Sequence, residues 1–143
     1  MMNNFFLLSA LCAALAGVAT PTLAAPANAP TAAECAAPDT QKRMNDCAYE
    51  EFLAANAGYA EGNKAVSSKL SGKQRELFQR SQKAWIAYRT AACDFESSAV
   101  QGGSAHGMVK WQCAARMTRA RLVELTAMGN CPEGDVACVR FKK

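Results

Sequence analysis

The chain has 143 residues, half of them hydrophobic, and 16 Lys and Arg against 12 Asp and Glu give a net charge of +4. The basic residues are scattered, as Lys42-Arg43, Lys73-Arg75, Lys83, Arg89, Arg116-Arg119-Arg121 and Lys142-Lys143, so they read as solvated helix faces and not as the dense basic stripe of a nucleic-acid surface. Seven cysteines accompany a single histidine, His106, with no C-x-x-C pair, which argues against a metal centre and for disulfides in an exported chain.

At the N-terminus, Phe5 to Val18 form an apolar stretch, and Thr22-Leu23-Ala24 followed by Ala25 supply small residues for cleavage, so residues 1–24 read as a signal peptide. The run is too short to span a bilayer. Leu11 stands before Cys12 where a lipoprotein site has a small residue, so lipidation is not expected. The expected product is soluble, without a membrane span, in a periplasm or outside the cell. Removing the signal leaves roughly 118 residues, enough for one domain with a modest core.

Residues 25–37, rich in Pro and Ala, read as a flexible arm carrying Cys35. The helical domain is expected over residues 38–130. Asp39 or Thr40 caps a first helix whose small and apolar positions, Met44, Cys47, Ala48, Phe52, Ala55 and Tyr59, recur at three- and four-residue spacing. Gly58 and Gly62 each cost about 1 kcal/mol relative to Ala inside a helix, so a bend or an end is expected there. Ser71 opens a second helix with Leu77, Phe78, Ser81, Trp85, Tyr88, Ala92 and Phe95 on one face. Trp85 and Tyr88 are expected to anchor the core. Gln101-Gly102-Gly103-Ser104 reverses the chain into a third helix with Met108, Trp111, Ala115, Thr118, Leu122 and Leu125, stopped at Gly129-Asn130. A short tail, residues 131–143, follows.

These elements predict an all-α fold: a small, disulfide-stapled antiparallel bundle of about three helices, in which the second and third form a hairpin with the first packed on it. Cys93 and Cys113 fall away from the centres of their apolar stripes and read as flank residues. Six cysteines allow 15 connectivities. Proximity in sequence favours Cys35 with Cys47, Cys93 with Cys113, and Cys131 with Cys138. His106 is the one histidine available as a base, no nucleophile elbow or nucleotide loop is present, and Asp94 and Glu96 diverge on their helix, so binding and not catalysis is expected, without cofactor or metal.

The segment Ser81-Gln82-Lys83-Ala84-Trp85-Ile86-Ala87-Tyr88-Arg89 carries a resemblance. With Met44-Asn45-Asp46-Cys47-Ala48, Cys93, Gly102 to Ser104, Cys113, Thr118, Arg121 and Leu125, it is similar to the pattern of the LprI-type lysozyme inhibitors over about residues 35 to 128. Thr90 stands where that family usually has Asp. Its Ala-Asp-x-x-Leu-Asn-x-x-Tyr run is displaced at Ala55-Asn56-Ala57-Gly58-Tyr59-Ala60-Glu61-Gly62-Asn63. The resemblance implies a protein that occludes the cleft of a lysozyme or another cell-wall hydrolase. Arg89, Gly102, Gly103, Ser104, His106 and Arg121 are the candidate contacts, although for both arginines a structural role inside the domain, paired with Glu96, Glu124 or another acid, is favoured over contact with an acidic cleft. Animal-type lysozymes are basic, so a +4 inhibitor needs a local acidic patch, for which Asp46, Glu50 and Glu51 are candidates, or a less basic target. An envelope immunity or adaptor protein and a peptidoglycan-binding module are the competing functions.

Overall fold

The computed structural model describes residues 29–130 together with 132, 134–136, 138, 139 and 141. The expected signal peptide and the Cys131–Cys138 pair lie outside the described residues, the latter because Cys131 does. Among the described residues the fold is all-α: α1 (Ala32–Ala36), α2 (Gln41–Lys69), α3 (Gly72–Ser97) and α4 (His106–Met128), with a short 3-10 turn at Ser98–Val100.

Within the stretch expected to be a flexible arm, Thr31 and Glu34 form a reciprocal capping box that starts α1. The Cys35–Cys47 disulfide then fastens this single turn to α2, and Arg43 adds an ion pair to Glu34. Thr40 caps α2, its side-chain oxygen accepting from the Arg43 amide at 3.2 Å. Chain reversal at Leu70-Ser71 and again at the Gly102–Ser104 turn makes the three long helices run up, down and up, so α2 and α4 are parallel to each other and antiparallel to α3.

The glycines do not interrupt α2, which runs unbroken for 29 residues. A Cβ on Gly62 would lie 2.7 Å from Leu122 Cδ1, and one on Gly58 would lie 3.2 Å from Leu122 Cδ2. The two glycines form a hole that receives Leu122, and the close approach of α4 offsets their poor helix propensity. Small buried residues, Ala48 and Ala55 on α2 with Ala114 and Ala115 on α4, extend the same seam. The tightest helix pair is therefore α2 with α4, not the sequence-adjacent hairpin of α3 with α4. Two reversals bring the first and third long helices side by side, and their small residues let the backbones close.

The core has two centres. Tyr59, Val66, Leu70 and Leu125 form one, with Phe78, Trp85, Met128 and Phe141 against it. Cys93, Cys113 and Ala114 form the other, with Phe52, Trp111 and Met117 against it. Cys93 and Cys113 are bonded to each other and only 1% exposed, so they are core residues and not flank residues. The cause is the rotation of α3. It turns Gln82, Arg89, Cys93 and Ser97 inward, leaving Tyr88 and Phe95 in solvent. Trp85 does pack on the core, half-buried, whereas Tyr88 does not anchor it.

Candidate partner-binding site

A chain of flat groups runs from the surface at Tyr49 into the interior between α2, α3 and α4. The Tyr49 and Trp111 rings meet at 5.0 Å, and Trp111 stacks on Phe52 at 5.1 Å. The Arg89 guanidinium lies 5.1 Å from the Phe52 ring and 5.2 Å from the Trp85 ring, a cation between two π faces. Trp85 in turn meets Tyr59 at 5.1 Å. Arg89 donates to Thr118 Oγ1 at 2.8 Å and to Asn56 Oδ1 at 3.4 Å. No carboxylate among the described residues pairs with it, and burial pulls its pKa below the ordinary arginine value despite the opposing influence of Tyr59.

Arg121 joins the same interior. Its Nε and Nη2 donate to Gln82 Oε1 at 3.2 Å each, its Nη1 pairs with Glu124 at 2.5 Å, and it lies 5.8 Å from the Trp85 ring. Tyr59 also donates to Gln82 Oε1, at 3.4 Å. One buried amide oxygen on α3 thus serves three donor groups, one from α2 and two from α4. Arg89 and Arg121 share Trp85, and neither stands beside the Gly102–Ser104 turn.

That turn is built differently. Gly102 has φ +78°, a backbone conformation that favours glycine, with open space around it. Gly102, Gly103 and Ser104 are exposed. Asn45 holds the turn from across the bundle: its Nδ2 donates to the Ser104 carbonyl at 2.9 Å, and its Oδ1 accepts from the Met108 amide at 3.0 Å and Gln41 Nε2 at 3.1 Å. Gly107 makes room, since a Cβ there would lie 3.4 Å from Asn45 Cγ. His106 Nε2 is 3.2 Å from the Ser97 hydroxyl, which donates to the Cys93 carbonyl at 2.8 Å. The Cys93–Cys113 disulfide closes the base of the loop.

The six candidate residues therefore separate into an exposed, braced tip, Gly102 to Ser104 with His106 just behind it, and an interior pair, Arg89 and Arg121. The acids considered as a patch are largely engaged: Asp46 pairs with Lys42 at 2.5 Å and Glu51 with Arg119 at 3.1 Å. Residues 98–107 contain no Lys, Arg, Asp or Glu, so the tip is uncharged apart from any proton on His106. Asn45 and Gln82, which fix the tip and the network, are absent from the candidate contacts. Their signal was membership in the Met44-Asn45-x-Cys47 and Gln82-x-x-Trp85 patterns.

A relative in Rhizobium meliloti (strain 1021), described as an uncharacterized protein, is 30% identical over 115 residues, covering 71% of this chain and 83% of the relative. No solved structure matches the chain significantly. The family described as lysozyme inhibitor LprI matches residues 32–125, a span that holds α1, the Asn45 brace, the Cys35–Cys47 and Cys93–Cys113 disulfides, the buried arginines and the turn. The chain belongs to the LprI family.

Proposed function

We propose that the protein is exported by an N-terminal signal peptide and, in a periplasm or outside the cell, binds a lysozyme or related muramidase and obstructs its cleft with the Gly102–Ser104 turn. The carrying observation is the turn itself: three exposed residues with little side-chain bulk, braced by Asn45 and by the buried Cys93–Cys113 bridge. A loop ordered before binding loses little conformational entropy on docking. A glycine-rich tip brings backbone amides and carbonyls close to a cleft wall, where they can reach the paired carboxylates that such enzymes use.

Family membership supports the target class, and the Cys35–Cys47 and Cys93–Cys113 disulfides suit an oxidising compartment. The uncharged tip lessens the repulsion that a +4 protein meets on approaching a basic enzyme. Among the described residues, seven of its cations, Lys42, Arg43, Lys73, Lys110, Arg116, Arg119 and Arg121, are already in ion pairs. Inhibition here is steric and requires no chemistry from the inhibitor.

The test mixes the oxidised mature protein with chicken-type lysozyme and follows cell-wall lysis, with sedimentation on insoluble peptidoglycan as a control. Lysis suppressed without sedimentation supports the reading. Sedimentation alone makes the protein a wall binder, and neither effect removes lysozyme as the target and leaves an immunity or adaptor role.

A further inference from the structure

The outward face of α3 is apolar, and among the described residues no other helix covers it. Tyr88 is 64% exposed, Phe95 82% and Leu77 46%. With Ser81, Ala84 and Ala91 they recur at alternating four- and three-residue steps, so all six share one face over roughly 27 Å of helix. No Lys, Arg, Asp or Glu falls among them. It shares Leu77, Ser81, Tyr88 and Phe95 with the apolar stripe read from the sequence, whereas α3 turns a face centred on Gln82, Arg89 and Cys93 to the core, with Phe78 and Trp85 beside it. A large aromatic left in water beside three further apolar positions marks an interaction surface.

The order of residues says what fits there. Reversed about its midpoint, between Ala84 and Tyr88, the stripe is complementary to itself: Tyr88 falls opposite Ala84, Ser81 opposite Ala91, and Leu77 opposite Phe95. Bulk meets a small residue at the centre, where helix axes come closest, and the large residues meet at the ends. Charge agrees with the reversed orientation. Arg80 flanks the first half of the face, beyond the Lys73–Glu76 ion pair at 3.9 Å, while Asp94 flanks the second half and keeps its carboxylate half-exposed although it pairs with Lys110 at 2.6 Å. An antiparallel partner sets Asp94 of the second copy opposite position 78, two residues from Arg80, whereas a parallel one sets like charges together.

We propose that the outer face of α3 is a homodimer interface, at which two copies pack antiparallel through Leu77, Ala84, Tyr88 and Phe95. A seam of one helix against another lies below the ~1,200 Å² typical of stable complexes, so the dimer is reversible. The two Gly102–Ser104 turns, each beyond the C-terminal end of its α3, then lie at opposite ends of the pair.

Sedimentation velocity of the oxidised mature protein, from about 5 to about 500 µM, tests this. The expected result is a concentration-dependent passage from monomer to dimer. Tyr88→Glu/Phe95→Glu, two exposed positions whose replacement leaves the circular-dichroism spectrum unchanged, should raise the dissociation constant about 100-fold or more. Arg80→Glu should weaken the dimer severalfold through repulsion with Asp94. A protein monomeric throughout, or a dimer that survives the double substitution, overturns the proposal, and a dimer strengthened by Arg80→Glu overturns the antiparallel register. Monomer that co-sediments with phosphatidylglycerol vesicles through Tyr88 and Phe95 assigns the face to lipid and equally overturns it.

Discussion

Arg89 and Thr118 are bonded across the centre of the bundle, the guanidinium donating to the hydroxyl oxygen at 2.8 Å while that hydroxyl donates to the Ala114 carbonyl at 2.6 Å. Thr118 is fully buried, so its oxygen has no water to replace Arg89. With no carboxylate paired to it among the described residues, the buried cation is maintained here by two aromatic faces and two neutral acceptors.

Arg89→Ala should destabilise the domain by about 3 kcal/mol through the lost π contacts and hydrogen bonds, and Thr118→Val by about 1–2 kcal/mol. Urea unfolding measures both. Because Arg89 lies inside, Arg89→Ala protein that is still folded should inhibit lysozyme as the parent does. A large loss of inhibition at unchanged stability would restore Arg89 as a contact residue.

Gly62→Ala sets a gain in helix propensity of about 1 kcal/mol against a Cβ 2.7 Å from Leu122 Cδ1. Leu122 has little room to retreat, since its other methyl already faces Gly58 at 3.2 Å from a Cβ position. The substitution should therefore destabilise by about 1 kcal/mol in the parent and stabilise by a similar amount in Leu122→Ala protein. The same sign in both backgrounds would mean that the glycines are not a socket.

Asn45→Ala releases the Ser104 carbonyl and the Met108 amide together. It should cost about 1–2 kcal/mol and weaken inhibition more than Gly102→Ala, which strains one exposed positive-φ position with open space around it. Thermal unfolding and lysis assays on the two variants give the comparison.

Cys93 and Cys113 are each 1% exposed, whereas Cys35 is half-buried and open to solvent. Graded treatment with a phosphine reductant followed by alkylation and mass spectrometry should show the Cys35–Cys47 bridge opening first. Replacing Cys93 and Cys113 together with Ala should cost about 3 kcal/mol.

The Thr31 backbone amide and hydroxyl, and then Arg43, hold the Glu34 carboxyl below the usual glutamate range. A depressed carboxylate pKa means that the contribution is complete above the unfolded value, about 4.3, and fades as pH falls through the lower native value. The capping box at the start of α1 should loosen there. Amide exchange at Glu34, followed by NMR from pH 5 to below pH 3, reads it directly.

Much was legible locally. Thr40 as a cap, Ser71 before α3, the reversal at Gly102–Gly103 and the stop at Gly129 are consequences of short-range hydrogen bonding and backbone freedom, which residue type carries. The Cys35–Cys47 and Cys93–Cys113 bonds follow the proximity expectation. Gly58 and Gly62 misled because propensity describes an isolated helix, and Leu122 sits 60 positions along the chain from Gly62. Asn45 and Gln82 were readable as motif members but not as braces, since their partners are equally remote.

The sequence by itself determined the all-α class, the three long helices with the cap at Thr40 and the stop at Gly129, the pairing of Cys35 with Cys47 and of Cys93 with Cys113, and the family. Only the tertiary structure decided which face of α3 points inward. An apolar stripe signals that a face avoids water, but Phe52, Thr118 and Cys113 on the other helices offer Arg89 and Cys93 contacts that the stripe cannot make. Satisfying a buried cation and closing a disulfide fix the rotation of α3, and Tyr88 and Phe95 are consequently left outside.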